Sequence, residues 1–203
     1  MNGTMKSHYN QVIPFHALAL TLFISMTETK AQQSDASQNA RYLPPTAPVT
    51  PGKAPEMKVR LLADNNGVKN YVIVLAKGDE VMSGLTDFAR QNKVRSASFT
   101  GIGAFSHALV AWFDRAKKEY KLIPIEQQVE LISMIGDIAL VNDRPAVHTH
   151  VSLGSSDGTV RGGHLVDADV FPTLELFMTV YPTALHKQLD EVTALELIDP
   201  LSK

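Results

Sequence analysis

Short apolar runs separated by turn residues fill the chain from residue 57 onward. Most runs are rich in Val, Ile, Leu and Phe, which favour strands, and Gly, Pro, Asn and Asp lie between them. The last long apolar run, 170–183, fits either a strand or a helix, and its Phe, Thr, Val and Tyr residues favour a strand. The pattern predicts eight or nine strands, drawn from the segments 57–63, 71–77, 96–105, 108–114, 119–125, 129–141, 146–154, 159–166, 170–183 and 194–199.

One segment, 78–93, has helical rather than strand periodicity. Its apolar positions recur at intervals of three and four residues, and Asp79 is the expected N-cap. One helix against many strands joined by short turns predicts an α+β fold. We expect a mixed, largely antiparallel, curved sheet with one principal packed helix.

The first 56 residues have a different pattern. Lys6 and His8 precede an apolar run at 12–26, and the small residues Thr29 and Ala31 follow it, which is the order of a cleaved signal peptide over residues 1–31. A retained signal anchor is the alternative. Residues 32–56 hold five prolines and predict a flexible linker. The folded domain is expected over 57–200, in a periplasmic or secreted protein that does not contact the membrane after cleavage.

Composition narrows the function classes. The chain has 203 residues, of which 44% are hydrophobic and 20% charged, typical of one globular domain. It contains no cysteine, which excludes disulfides and thiolate chemistry. The net charge of −2 gives no general attraction to nucleic acid. The glycines at 101–105 lack the dinucleotide-binding spacing, so no cofactor of that kind is predicted.

The most informative stretch is 148–165, which holds three of the seven histidines. In a strand His148, His150 and Ser152 share one face, while Thr149 and its apolar neighbours share the other. Imidazoles two residues apart can converge on one metal ion at about 2.0–2.1 Å. The alternative is a polar turn with three ordinary surface histidines.

The third ligand, His164, tests the metal hypothesis through strand register. A regular hairpin with a two- or four-residue loop would pair His164 with Val151 or Thr149, on the wrong face. Only an odd loop or a β-bulge brings His164 beside His150, and Gly162–Gly163 is the natural bulge site. The metal hypothesis therefore predicts an irregularity there, and a regular ladder through Gly163 would count against it.

Three histidines with an open position are typical of a reactive zinc site. Such an ion could activate water or polarise a carbonyl group. Glu130 and Glu175 lie on predicted strands and are weak candidates for a catalytic acid or base, for a partner of a ligating histidine, or for simple surface residues. Arg161 could bind a carboxylate, although a solvated strand residue is the simpler interpretation.

An ordered set of segments resembles the plants and prokaryotes conserved (PPC) domain, also called DUF296. The matching stretches are "YVIVLAKGDEVMSGLTDFARQN", "SASFTGIGAFSHALVAWFD", "KEYKLIPIEQQVELISMIGDIAL", "PAVHTHVSLGSSDGTVRGGHL" and "FPTLELFM", over residues 57–182. The resemblance implies a mixed sheet with a packed helix, assembled as a homotrimer. Bacterial members are similar to a wider group that includes the zinc enzyme acetolactate decarboxylase, which implies zinc ligation by His148, His150 and His164.

The chain departs from the family pattern at two positions: Asp137 stands where Asn is frequent, and Ala168 where Gly is common. It also lacks the AT-hook that precedes the domain in plant members. The function expected is therefore an exported domain that binds zinc and a small anionic or carbonyl ligand, with lyase or hydrolase chemistry as a further expectation. A non-catalytic trimeric interaction module and a DNA-binding protein are the alternatives, and whether the chain is an enzyme stays open.

Overall fold

The computed structural model describes residues 40–45 and 48–202, so the predicted signal peptide lies outside the described residues. This part contains one helix, α1 (Val81–Gln91), and ten strands, which confirms the predicted class. The strands are β1 (Tyr42–Leu43), β2 (Lys58–Asn65), β3 (Val68–Ala76), β4 (Ala97–Asp114), β5 (Glu119–Ile125), β6 (Val129–Val141), β7 (Arg144–Gly154), β8 (Val160–Val180), β9 (His186–Asp190) and β10 (Leu195–Asp199).

Four strands close into a ring. β4 pairs with β6, β6 with β7, β7 with β8, and β8 returns to β4, all antiparallel. The sheet continues outward through β5 and β1 on one side and through β3 and β2 on the other. A closed ring removes exposed edges from its strands and encloses the apolar side chains that alternate along them. The core contains Phe88 of the helix and Phe105, Met134, Leu153 and Leu165 of the ring.

β4 and β8 are longer than the pattern predicts. The sequence predicted separate strands at 96–105 and 108–114, and this was wrong, because β4 runs without a break from Ala97 through Gly101 and Gly103 to Asp114. A register shift lies between these two glycines. A side chain at Gly103 would collide with the carbonyl oxygen of Thr173 and approach Leu174 Cα to 2.8 Å. The absence of a side chain at these glycines therefore allows β4 and β8 to lie close together.

The N-cap of the helix lies one residue later in the sequence than predicted. Glu80, not Asp79, is the N-cap, and its carboxylate accepts hydrogen bonds from the backbone N–H groups of Met82 and Ser83 at 2.9 and 2.6 Å. Asp79 is buried and accepts from the N–H groups of Ala76 and Glu56 instead. Both carboxylates thus accept hydrogen bonds from backbone N–H groups. Glu80 caps the helix, whereas Asp79 closes the turn before it.

The structure also differs from the predicted linker over the part of it that is described. We call residues 40–45 and 48–57 the strap. Its β1 pairs with β5, and its Gly52 and Lys53 N–H groups donate to Asp87 and Ser83 of the helix at 2.7 and 2.9 Å. Val49 and Ala54 pack on the core. The proline-rich composition predicted a tether. Composition alone cannot reveal these individual contacts.

The C-terminal hairpin of β9 and β10 completes the sheet. β10 was predicted and β9 was not, since its sequence, His-Lys-Gln-Leu-Asp, has little apolar character. β9 is paired with strand β6 of the ring at one parallel position, Leu140 with His186. No helix in residues 40–45 or 48–202 has the length and apolar character needed to cross a membrane.

The contact at Gly103 gives the first prediction. Gly103→Ala should lower the free energy of unfolding by about 1–3 kcal/mol, because the new methyl group forces β4 and β8 apart. Chemical denaturation followed by circular dichroism measures the change. Ser106→Ala, at an exposed site on the same strand, should cost less than about 1 kcal/mol. An equal loss in both variants would contradict the explanation.

Candidate metal centre

The histidine-bearing strand β7 separates its two faces as the alternation predicted. Thr149, Val151 and Leu153 are buried, whereas His148 and Ser152 are half-buried and His150 is exposed. The buried side packs into the ring, so the imidazoles of this strand project from the other face.

Strand register brings the third histidine to the other two. His150 of β7 pairs directly with His164 of β8, and the ladder stays regular through Gly163 to Gly154 and Val160. The predicted bulge at Gly162–Gly163 was therefore wrong. The loop between the strands has five residues, 155–159, and this odd number supplies the required register. A regular ladder was expected to count against the metal hypothesis, but the odd loop removes that objection.

Gly162 and Gly163 have a different purpose, which is to let β8 pass between its neighbours. A side chain at Gly162 would collide with the carbonyl oxygen of Val151 on β7. One at Gly163, whose φ is 154°, would lie 2.5 Å from the carbonyl oxygen of Ala111 on β4. The two glycines thus bring β8 close to both neighbours immediately before His164.

The three imidazoles form one group, which we call the histidine cluster: His148, His150 and His164. One ring nitrogen from each lies within 4.8 Å of the others, and the ring centroids are 5.1–5.6 Å apart. Nitrogens around a tetrahedral zinc ion stand about 3.3 Å apart, given Zn–N bonds of about 2.0–2.1 Å. Small side-chain rotations would therefore suffice for ligation by all three.

Asp137 and Lys187 support His148 from the neighbouring strands. The Nδ1 of His148 lies 3.2 Å from Asp137 Oδ2, and Lys187 Nζ lies 3.0 Å from Asp137 Oδ1. Because an ionised carboxylate only accepts, Nδ1 carries the proton and Nε2 keeps its lone pair. A carboxylate that orients a histidine in this way is the usual partner of a metal ligand. The Lys187 side chain is only 6% exposed, so this ion pair is largely withdrawn from solvent.

The other two imidazoles are kept neutral by their surroundings. Burial, and after it the electrostatic influence of His148, His150 and Lys187, lowers the pKa of His164 to about 4. The pKa of His150 is also lowered, by partial loss of hydration and by His148. His164 stacks on Tyr120 at 4.5 Å, and its buried Nδ1 has no hydrogen-bond partner among the described residues. Neutral rings with free lone pairs are the form that binds metal.

The remaining candidates lie apart from the cluster. Glu130 is exposed and pairs with Gly154, four residues along β7 from His150, or about 13 Å at the usual rise per residue. Glu175 is exposed on β8 beside Ile102, and Arg161 is exposed opposite Leu153. None of the three belongs to the cluster, and a catalytic role for either glutamate stays a prediction.

Sequence reasoning missed Asp137 as the partner of His148, although a signal for it existed. Asn142 and Asp143 have φ values of 48° and 59°, which suit a two-residue hairpin turn. Such a turn between β6 and β7 pairs Val141 with Arg144 and, by regular register, Asp137 with His148. The same arithmetic that was applied to His164 would have found this contact.

The family model of the Plants and Prokaryotes Conserved (PCC) domain, abbreviated PPC above, matches residues 63–182, more than half of the chain. The chain belongs to this family. The matched PPC region contains the ring and the complete histidine cluster, while the strap and the C-terminal hairpin lie outside it. No curated protein matches the chain in sequence.

Solved structures with a similar fold agree with this assignment. A PPC protein from Pyrococcus horikoshii is 31% identical, with a TM-score of 0.62 over 72% of this chain and 97% of that one. A metal-containing protein from Archaeoglobus fulgidus is 31% identical, with a TM-score of 0.61 over 64% and 93%. A protein from Ralstonia eutropha described as a candidate DNA-binding protein is 32% identical, with a TM-score of 0.61 over 64% and 90%.

The support of His148 by Asp137 predicts a pH-dependent stability. Burial raises the pKa of Asp137, but the hydrogen bond with His148 and the charge of Lys187 lower it more, so the pKa lies below 3.8. A lowered pKa stabilises the fold above the unfolded value, and this stabilisation is lost as pH falls through the folded one. Asp137→Asn should therefore cost about 2 kcal/mol at pH 6, and the cost should shrink below pH 4.

Urea unfolding at several pH values, with chelator present to exclude metal effects, checks this prediction. Glu191→Gln, at an exposed acid, serves as the control and should change stability little at any pH. A cost of Asp137→Asn that stayed constant from pH 6 to pH 3 would contradict a charge-dependent contact.

Proposed function

We propose that the histidine cluster binds one zinc ion and that this ion is the functional centre of the protein. The convergence of His148, His150 and His164, with one nitrogen of each within 4.8 Å of the others, is the observation that carries the proposal. The partner of His148 and the unpartnered Nδ1 of the buried His164 support it. The metal-containing relative from Archaeoglobus fulgidus supports it as well.

Three neutral nitrogen ligands suit zinc and leave a fourth position open. When bound, the ion would supply Lewis acidity or an activated water there. In this proposal Asp137 holds the His148 ring in place and fixes its tautomer, and Tyr120 holds the His164 ring by stacking. A small anionic or carbonyl ligand fits this centre, because the ligand set adds no negative charge to offset the cation.

The alternatives receive different support. A DNA-binding role is suggested by the description of the Ralstonia eutropha relative alone. The chain's net charge of −2 is unfavourable for binding a phosphate backbone. A trimeric interaction module is compatible with a zinc site, and a surface of the sheet favours self-association as well.

That surface, which we call the outer sheet face, consists of Thr100, Ile102, Ile135 and Phe177. Ile135 of β6, Thr100 of β4 and Phe177 of β8 lie side by side, and the three apolar side chains are each 60–63% exposed. Exposed apolar groups of this size clustered on a sheet mark an interaction surface. We propose that copies of the chain associate through this face, as the homotrimer implied by the PPC resemblance requires.

The metal proposal is tested by quantifying bound metal. Residues 32–203, expressed untagged and dialysed without chelator, should carry about one zinc per chain. A His148→Ala/His150→Ala double variant should lose it, because one imidazole alone cannot retain the ion. Inductively coupled plasma mass spectrometry of both proteins gives the metal content.

His107→Ala is the matched control, since His107 faces Asp167 and Asp169 on another part of β8. This variant should keep its zinc. A folded protein without metal after supply of zinc would overturn the proposal, and so would equal metal contents in the double variant and the wild type.

Self-association has its own test. Phe177→Glu should convert trimers into monomers, because a charge at the contact would be buried without a partner. Light scattering coupled to size-exclusion chromatography measures the mass. Val192→Glu, at a position 79% exposed on the C-terminal hairpin, should leave the mass unchanged. A monomeric wild type, or a trimeric Phe177→Glu variant, would contradict the proposed contact.

A further inference from the structure

A cavity of about 370 Å³ adjoins the histidine cluster. His148 and His164 line it, together with Tyr120, which stacks on His164, and Lys187, which pairs with Asp137. The volume lies in the range of small-molecule sites. The cavity therefore borders two of the three imidazoles that the proposed zinc ion would use.

Elements outside the matched PPC region provide much of the apolar wall. The strap contributes Leu43, Pro44, Pro45 and Val49, and the strand β10 contributes Leu195 and Leu197. Met82 of α1 adds a buried thioether side chain. The region matched by the family model supplies the histidines and Met82, while the strap and β10, which lie outside it, enclose the adjacent space.

Positive charge at the histidine end of the cavity favours an anion once zinc is bound. Lys187 of β9 is already paired with Asp137, and Arg90 of the helix shares the lining with Glu196, the one carboxylate among the described residues that line the cavity. A zinc ion on the histidines would add two positive charges beside them. The apolar wall rejects a strongly hydrated dianion, because most of its hydration would be lost without replacement.

We infer that this cavity binds a small monocarboxylate with an apolar chain. The carboxylate would lie at the end formed by the histidines, and the chain would lie against the strap and β10. The inference rests on the proposed zinc site for the carboxylate end only. Burial of the chain depends on the apolar wall and is independent of metal.

The first experiment compares acetate, butyrate and hexanoate by isothermal titration calorimetry. Each CH₂ group that enters an apolar wall should raise affinity about fourfold, the ratio that corresponds to about 0.8 kcal/mol. Hexanoate should bind at least tenfold more tightly than acetate. 1-Hexanol, which has the chain without the charge, should bind at least tenfold more weakly than hexanoate.

Adjacent residues on β10 provide a matched pair of variants. Leu197 lines the cavity and is 47% exposed, so Leu197→Asp should fold and should weaken hexanoate at least tenfold by removing apolar contact and adding repulsion. Ile198 does not line the cavity and is 38% exposed, and Ile198→Asp should change affinity less than twofold. Val49→Asp tests the strap in the same way.

Titrations of zinc-loaded and chelator-treated protein separate this inference from the proposed function. Both proposals are supported if affinity rises with chain length in both forms of the protein and zinc raises the affinity for every carboxylate by the same factor. The same rise in a protein that binds no zinc supports the cavity and refutes the metal centre. Equal affinities for acetate and hexanoate, or an unchanged affinity in Leu197→Asp, overturn the cavity inference even if zinc binds.

Discussion

The passage of β8 between β7 and β4 is the constraint on which the rest of the structure depends. At Gly162 and Gly163 there is no space for a side chain, because the carbonyl oxygens of Val151 and Ala111 occupy the positions that a Cβ would take. This close approach closes the four-stranded ring. It also places the next residue, His164, directly opposite His150. Ring closure and assembly of the histidine cluster thus share these two backbone contacts, and the five-residue loop supplies the register.

The electrostatics of the cluster follow from its position beside the close approach of β8 to β7 and β4. His164 is held among other potential cations and out of water, so it stays neutral, while Asp137 balances Lys187 and fixes the tautomer of His148. A neutral His164 avoids repulsion from the neighbouring rings and from Lys187. A neutral imidazole offers a lone pair, which is what a metal ion requires.

The sequence predicted the class of fold and the cluster because both depend on periodicity. Strand alternation alone placed His148 and His150 on one face, and parity of the loop alone allowed His164 to join them. It could not predict that β4 and β8 are continuous, since bending and close approach at Gly103 depend on the neighbouring strand. The contacts of the strap and the placement of Lys187 depend on the closed ring, which no local pattern encodes.

The same register connects the cluster with the outer sheet face. His150 pairs with Ile135, Ile135 with Thr100, and Thr100 with Phe177, so these four side chains form one row on one side of the sheet. Opposite residues in antiparallel strands share a face, and His150 is the exposed member of the cluster. The cavity lies against His148 and His164 instead. The cluster therefore stands between two surfaces, the outer sheet face on the side of His150 and the cavity on the side of His148 and His164.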